Sequence, residues 1–262
     1  MKNSKLYLAL STALAFSATT QAVQLATENP TANPSAPNLP ANISAVLYDQ
    51  TDSPFGNGAP DQDFESSFDA YDSFIADDFV VPGGRTWSID GVVTVGTTTG
   101  PANTVSVWFY PDNGGAPAAT AACSYTGLTT FTETAGSFVV SLPTPCDLTT
   151  GTYWMAFQTQ QDFGVSGQHF FSNRSVVSGN EAMWQNPGDG FGSGCTTWSP
   201  AGTVCGVGGG NPSTPYDFLF ALTGQSIVPQ IPTLNWVSLS GLAGGLAILS
   251  LFALRRRKHL FS

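Results

Sequence analysis

Short runs that alternate apolar and polar residues fill the middle of the chain. Residues 104–110 are the clearest. Val105, Val107 and Phe109 fall on one face, and Ser106, Trp108 and Tyr110 on the other. A period of two belongs to a half-buried strand. Comparable runs, rich in β-branched and aromatic residues, cover 43–48, 74–81, 87–95, 137–142, 152–158, 169–173, 182–185 and 216–223. Turn-forming residues punctuate them, most strongly Pro82-Gly83-Gly84 and Pro111-Asp112-Asn113-Gly114-Gly115. Residues 49–71, with Gly56, Gly58 and Pro60, read as an irregular acidic segment. No amphipathic helix of useful length lies between Val23 and Gln230. The pattern predicts an all-β fold, a single jelly-roll-like β-sandwich over residues 43–224 with roughly eight to ten strands. An immunoglobulin-like sandwich is the alternative, and the body is long for one.

Both ends break the pattern. Lys2 and Lys5 precede a short apolar stretch from Leu6 to Phe16, and small residues lead to a cleavage position before Val23. Residues 1–22 therefore read as a secretory signal peptide. Residues 23–42, rich in Pro, Asn, Ala and Thr, read as an extended spacer, and 225–230 as a linker. Val237 to Leu254 is an uncharged apolar run of 18 residues, followed at once by Arg255, Arg256, Arg257 and Lys258. That length is near the lower limit for crossing a bilayer as one helix, and the basic cluster is a cytoplasmic stop signal. The expected topology has a transmembrane helix at about 236–254, with the body outside and the C-terminus inside.

Charge sharpens this division. Away from the two ends the body has only Arg85 and Arg174 as basic residues, against all 18 acids, a net charge of about −16. Nucleic-acid binding is excluded as a role, since it needs clustered Lys or Arg. The four cysteines, Cys123, Cys146, Cys195 and Cys205, all lie in the exported body. They allow three pairings. The sequence-local ones, Cys123–Cys146 and Cys195–Cys205, are favoured over a zinc site because no CxxC is present, and each would add about 2–4 kcal/mol.

Ile231-Pro232-Thr233-Leu234, the nearby Trp236, the single span and Arg255 to Arg257 together resemble the IPTL-CTERM protein-sorting domain, a relative in design of the PEP-CTERM tails of bacterial envelope proteins. The likeness covers residues 231–258. The usual tail has a Ser-Glu pair between the Leu and the Trp, whereas only Asn235 stands here. The resemblance implies a Gram-negative bacterial protein, held first at the inner membrane. An exosortase-like membrane transpeptidase would then cut near the motif and pass the body to the envelope or outside. Independently, Pro232 stops a helix from continuing upstream, and Trp236 suits the headgroup region. A plain, uncut anchor is the competing reading. In the body, Ala76 to Pro82, Trp87-Ser88-Ile89, Val107 to Gly115 and Gly151 to Trp154 resemble exported bacterial jelly-roll modules found ahead of such anchors.

Two sets of residues are candidates for chemistry. Asp61, Asp63 and Glu65 present alternating carboxylates suited to calcium, although a solvated acidic face explains the same pattern. The chain carries no other cofactor signal. Trp184 and Trp198 lie in polar loops and are candidates to stack on sugar rings of an extracellular polysaccharide. Core packing is the competing reading for them and the expected one for Trp87 and Trp154. The body's lone histidine, His169, reads as structural. No nucleophile elbow, HExxH, P-loop or dinucleotide fingerprint is present. The expected role is non-catalytic: surface display, adhesion or exopolysaccharide association at the cell envelope. A secreted glycan-active hydrolase and a purely structural matrix component are the alternatives.

Overall fold

The structure, a computed structural model, describes residues 44–208 and 214–228. The expected signal peptide, spacer and sorting tail, with Ile231 to Leu234, Trp236 and Arg255 to Arg257, lie outside the described residues. β1 (Ala45–Asp49), β2 (Pro54–Pro60) and β3 (Gln62–Asp63) come first, followed by a 3-10 helix at Ser66–Tyr71. β4 (Phe74–Thr94) is 21 residues long and is followed by β5 (Gly96–Thr97). β6 (Thr104–Pro111), β7 (Cys123–Leu128) and β8 (Phe131–Thr134) lead to the 24-residue β9 (Ser137–Gln160). After a single helical turn, α1 (Phe163–Ser166), come β10 (Phe170–Arg174), β11 (Met183–Gln185), β12 (Ser199–Pro200), β13 (Asp217–Phe218) and β14 (Phe220–Ile227).

β4 and β9 organise the molecule. They pair antiparallel from Ile75↔Phe157 to Thr94↔Phe138, with a break in register between Val81 and Thr86. The Phe79 and Trp87 rings stack face to face at 6.1 Å, although both lie on β4. Eight residues of straight strand would separate them by roughly 26 Å. The β4–β9 ribbon is therefore folded back on itself at the break, and its two halves face each other. One layer holds the first half of β4, the second half of β9, β6, β7 and β11; the other holds β1, β14, the second half of β4 and the first half of β9 with β8. Phe138 meets Phe157 at 5.7 Å and Tyr48 meets Phe79 at 6.0 Å across the layers. A smaller sheet, β13-β10-β2 with β5 on β10, packs Phe171 against Phe157 at 5.7 Å. The result is an all-β, sandwich-like fold.

The sequence pattern explains most of this. Val105, Val107 and Phe109 are fully buried in the core, while Trp108 and Tyr110 on the opposite face are half-buried. Trp87 and Trp154 are core residues. Three differences have local causes. Pro82-Gly83-Gly84 marks a bend inside one continuous strand, because Thr86 rejoins the β9 ladder opposite Thr149. The segment read as irregular contains β2, whose glycines allow close pairing: a Cβ on Gly58 would sit 2.6 Å from the Phe171 carbonyl oxygen. β14 runs past 224, since Gln225, Ser226 and Ile227 still pair with β4.

Both disulfides join the sequence-local pairs, Cys123–Cys146 and Cys195–Cys205. The first links β7 in one layer to β9 where it runs in the other. The second closes the loop around β12.

Candidate functional site

The three carboxylates considered for calcium are used separately. Asp61 lies where the chain leaves the small sheet at the end of β2 and enters the large one at β3, so strand alternation does not continue through it. It is fully enclosed, and its Oδ1 lies 2.5 Å from His169 Nδ1. Asp63 is half-buried, and burial followed by the nearby Asp69 charge raises its carboxyl above the ordinary range. Glu65 turns outward and accepts the Phe163 N–H at 2.7 Å at the start of α1, which holds its carboxyl below the ordinary range. Among the described residues, no group of three or more His, Cys, Asp or Glu side chains converges with metal-ligand spacing.

His169 is a structural ion. Nδ1 faces the Asp61 carboxylate, and Nε2 lies 2.7 Å from the Gly136 carbonyl oxygen. The carboxylate and the carbonyl both accept, and the Thr159 hydroxyl, 3.3 Å from Nδ1, can accept as well, so the pocket favours the doubly protonated ring. Burial opposes that charge, but the Asp61 charge and hydrogen bond, with the Gly136 carbonyl, outweigh it and raise the imidazole above its ordinary value. Neither nitrogen has a free lone pair to act as a base. All four cysteines are in disulfides, so no thiol is free.

Three further carboxyls cluster between β4 and β13. Asp77 faces inward, where its Oδ2 accepts from Gln50 Nε2 at 2.7 Å and from the Phe218 N–H at 2.6 Å. Asp78 faces outward and accepts from the backbone and side-chain nitrogens of Asn180. The two neighbours thus point to opposite faces, as strand geometry requires. Asp217 accepts the Ser178 N–H at 2.6 Å through Oδ2, while its Oδ1 has no hydrogen-bond partner among the described residues. Burial, then the Asp217 charge, holds Asp77 well above the ordinary carboxylate range. Burial pushes Asp217 up to about 7. Arg174 sits 3.9 Å from Asp217 but directs its Nε at Asp52, 2.7 Å away.

The two tryptophans considered for stacking separate. Trp184 is fully buried, and its Nε1 donates to the Pro60 carbonyl at 2.7 Å, so it packs in the core. The surface ring of that loop is Phe191, 5.8 Å from Trp184 and 5.1 Å from Tyr71. Trp198 is half-buried, 6.3 Å from Tyr110 and 6.5 Å from Phe74, which itself lies 5.8 Å from Trp108. Trp108, Tyr110 and Trp198 cover Ala76, Trp154, Ala156 and Met183 on the outer face of one layer, and half-buried Phe74 lies edge-on to Trp108 and Trp198.

The outer face of the other layer carries an open groove of about 550 Å³. Val139 and half-buried Phe131 contribute apolar floor, and Ser44, Thr129, Thr130, Thr132, Ser141 and Thr223 bring hydroxyls to it. Its one carboxylate is Asp90. The sequence did not single out Asp90, because an isolated acid in a strand has no pattern.

No family model matches this chain, and no curated protein is similar to it. Among solved structures it is similar to the cysteine protease and lectin-like domains of Cwp84, a surface layer associated protein of Clostridium difficile, at 13% identity and a TM-score of 0.37. That match covers 58% of this chain and 32% of the other, so this chain spans about a third of that neighbour's length. A likeness at that score carries no argument about fold or function.

Proposed function

We propose that this chain is an exported bacterial cell-envelope protein whose jelly-roll-like β-sandwich is displayed outside the cytoplasm and associates, without catalysis, with extracellular polysaccharide. The observation that carries this reading is the half-exposed aromatic surface of Phe74, Trp108, Tyr110 and Trp198. Aromatic faces with a wet side and a polar handle suit sugar rings. Two disulfides in a body without lysine agree with an oxidising compartment. In this account residues 1–22 direct export. The 231–258 tail holds the chain at the inner membrane and is the substrate of an exosortase-like transpeptidase.

A glycan-active hydrolase would need two carboxyls facing each other across a cleft. The groove offers Asp90 alone, and Asp77 is committed to hydrogen bonds inside the fold. The test uses the full chain in a sugar-free detergent, co-sedimented with insoluble cellulose, chitin or β-1,3-glucan. At least one polymer should retain it, and Trp198→Ala should weaken retention roughly three- to tenfold, since an aromatic contact is worth on the order of 1 kcal/mol. Absence of retention on all three polymers, or retention untouched by Trp198→Ala with an unchanged far-UV spectrum, would contradict this reading.

A further inference from the structure

The groove on the second layer is constructed around a strand irregularity. Asp90 is unpaired in both ladders that flank it. On one side Ile89 pairs with Gly224 and Gly91 with Thr223; on the other Ile89 pairs with Cys146 and Gly91 with Ser141. A bulge of this kind re-aims a side chain, and such bulges gather beside binding sites. Here it breaks the alternation: the side chains of Ile89 and Val92, three apart, both pack in the core, and Asp90 between them turns to the groove. Gly91 keeps the floor open: a Cβ there would lie 2.5 Å from Thr223 Oγ1.

Ser44 Oγ donates to Asp90 Oδ2, and Thr223 Oγ1 donates to Oδ1 at 3.2 Å. Each carboxylate oxygen retains capacity for a second donor. Among the described residues the side chains of Thr129, Thr132 and Ser141 make no hydrogen bond and stand exposed around the groove, while Thr130 Oγ1 donates to the Ser141 carbonyl at 3.1 Å. The groove thus offers a carboxylate that accepts, hydroxyls that both donate and accept, and an apolar floor. That combination matches a ligand with many hydroxyl groups and an aliphatic ring face. Its volume falls in the range of small-molecule sites, about 300–1,000 Å³. Neither Arg85 nor Arg174 lines it, so among the described residues no cation would offset Asp90 for an anionic ligand.

We infer that this groove is a binding site for a neutral saccharide, with Asp90 accepting sugar hydroxyls and the apolar floor under the ring. The inference rests on the polysaccharide reading above and gives it a second contact, on a different layer from the aromatic surface.

Isothermal titration of the full chain in a sugar-free detergent, with millimolar maltohexaose, cellohexaose and laminarihexaose, tests it. An oligogalacturonate serves as the anionic comparison. At least one neutral hexasaccharide should bind. Asp90→Ala should weaken it roughly tenfold or more, as loss of hydrogen bonds to a charged group implies. Thr132→Arg changes an exposed rim residue and leaves the Asp90 bonds intact, so it should block the groove without unfolding the chain. Trp198→Ala should leave hexasaccharide binding in place. Binding that survives both groove variants, heat from the anionic sugar alone, or no heat from any sugar overturns the groove. If polymer retention then persists and depends only on Trp198, the polysaccharide reading stands without it. If polymer retention is absent as well, both fall.

Discussion

At the scale of single residues, the ionisable side chains are used mainly to hold the fold. Their pKa shifts give stability a definite pH dependence. Asp217, pushed up to about 7, and Asp77, held well above the ordinary carboxylate range chiefly by burial, bind protons in the folded chain that an unfolded chain releases near pH 4. Asp72, raised to about 6 chiefly by burial, acts in the same direction. Each therefore contributes stability at low pH that declines as pH rises from about 4 through its folded value, about 6 for Asp72 and about 7 for Asp217. His169 is also raised, so its contribution is full below its unfolded value of about 6.5 and is lost as pH climbs through the higher folded value. Asp52 and Glu65 are lowered, and their contributions are lost only in acid, below the ordinary carboxylate range. Between pH 5 and 8 the raised groups decide the sign. The melting temperature should be several degrees higher at pH 5.5 than at pH 8. Asp217→Asn should flatten that slope by raising the pH 8 value. A melting temperature that rises with pH over this range contradicts the assignment. Little of this was legible in the sequence. His169 read correctly as structural, but its partner Asp61 was grouped with Asp63 and Glu65 because the three alternate. The chain changes sheets at Asp61, which alternation alone does not reveal.

At the scale of elements, the strands were legible where alternation is strict and obscured where close packing requires glycine. β6 is the clear case, with Val105, Val107 and Phe109 inward. β2 is the opposite case: Gly56, Gly58 and Pro60 look like a loop, yet Gly58 is what permits the approach to Phe171. β4 shows a third limit. Pro82-Gly83-Gly84 signals a change of direction, but only pairing with β9 shows that the ribbon continues through it. The same holds for the Asp90 bulge, a property of two ladders rather than of one residue. Because the ribbon folds back, Cys123–Cys146 ties the two layers together across 23 residues. Cys195–Cys205 closes only 10. Replacing Cys123 and Cys146 together by alanine should cost about 3 kcal/mol, and the Cys195/Cys205 pair less, since loop-closure entropy grows with loop length. Urea unfolding of the two double variants checks the order. A larger loss from the Cys195/Cys205 pair would show that the first bridge does not hold the layers.

At the scale of the whole molecule, charge and chemistry divide between body and ends. The body has two basic residues, both disulfides, an aromatic surface on one layer and a hydroxyl-lined groove on the other. The ends carry the remaining basic residues and the segments proposed to direct export and sorting. Aromatic content in the sequence offers two candidates for stacking on sugar, and position separates them: Trp184 fills the core, while Trp198 reaches the surface with Trp108 and Tyr110. Burial of one tryptophan against exposure of the other depends on tertiary packing: Trp184 is on β11, between β4 and β12, whereas Trp198 lies just before β12, and both have polar sequence neighbours. The central claim is that the body is delivered outside the cytoplasm and released from its tail. Intact-mass and peptide mass spectrometry of the protein recovered from envelope and medium tests that most directly. The account predicts a mature chain that begins at Val23, contains both disulfides, ends near Ile231 to Leu234 and lacks Arg255 to Lys258. A chain that begins at Met1, retains Arg255 to Lys258 and carries four free thiols would contradict it.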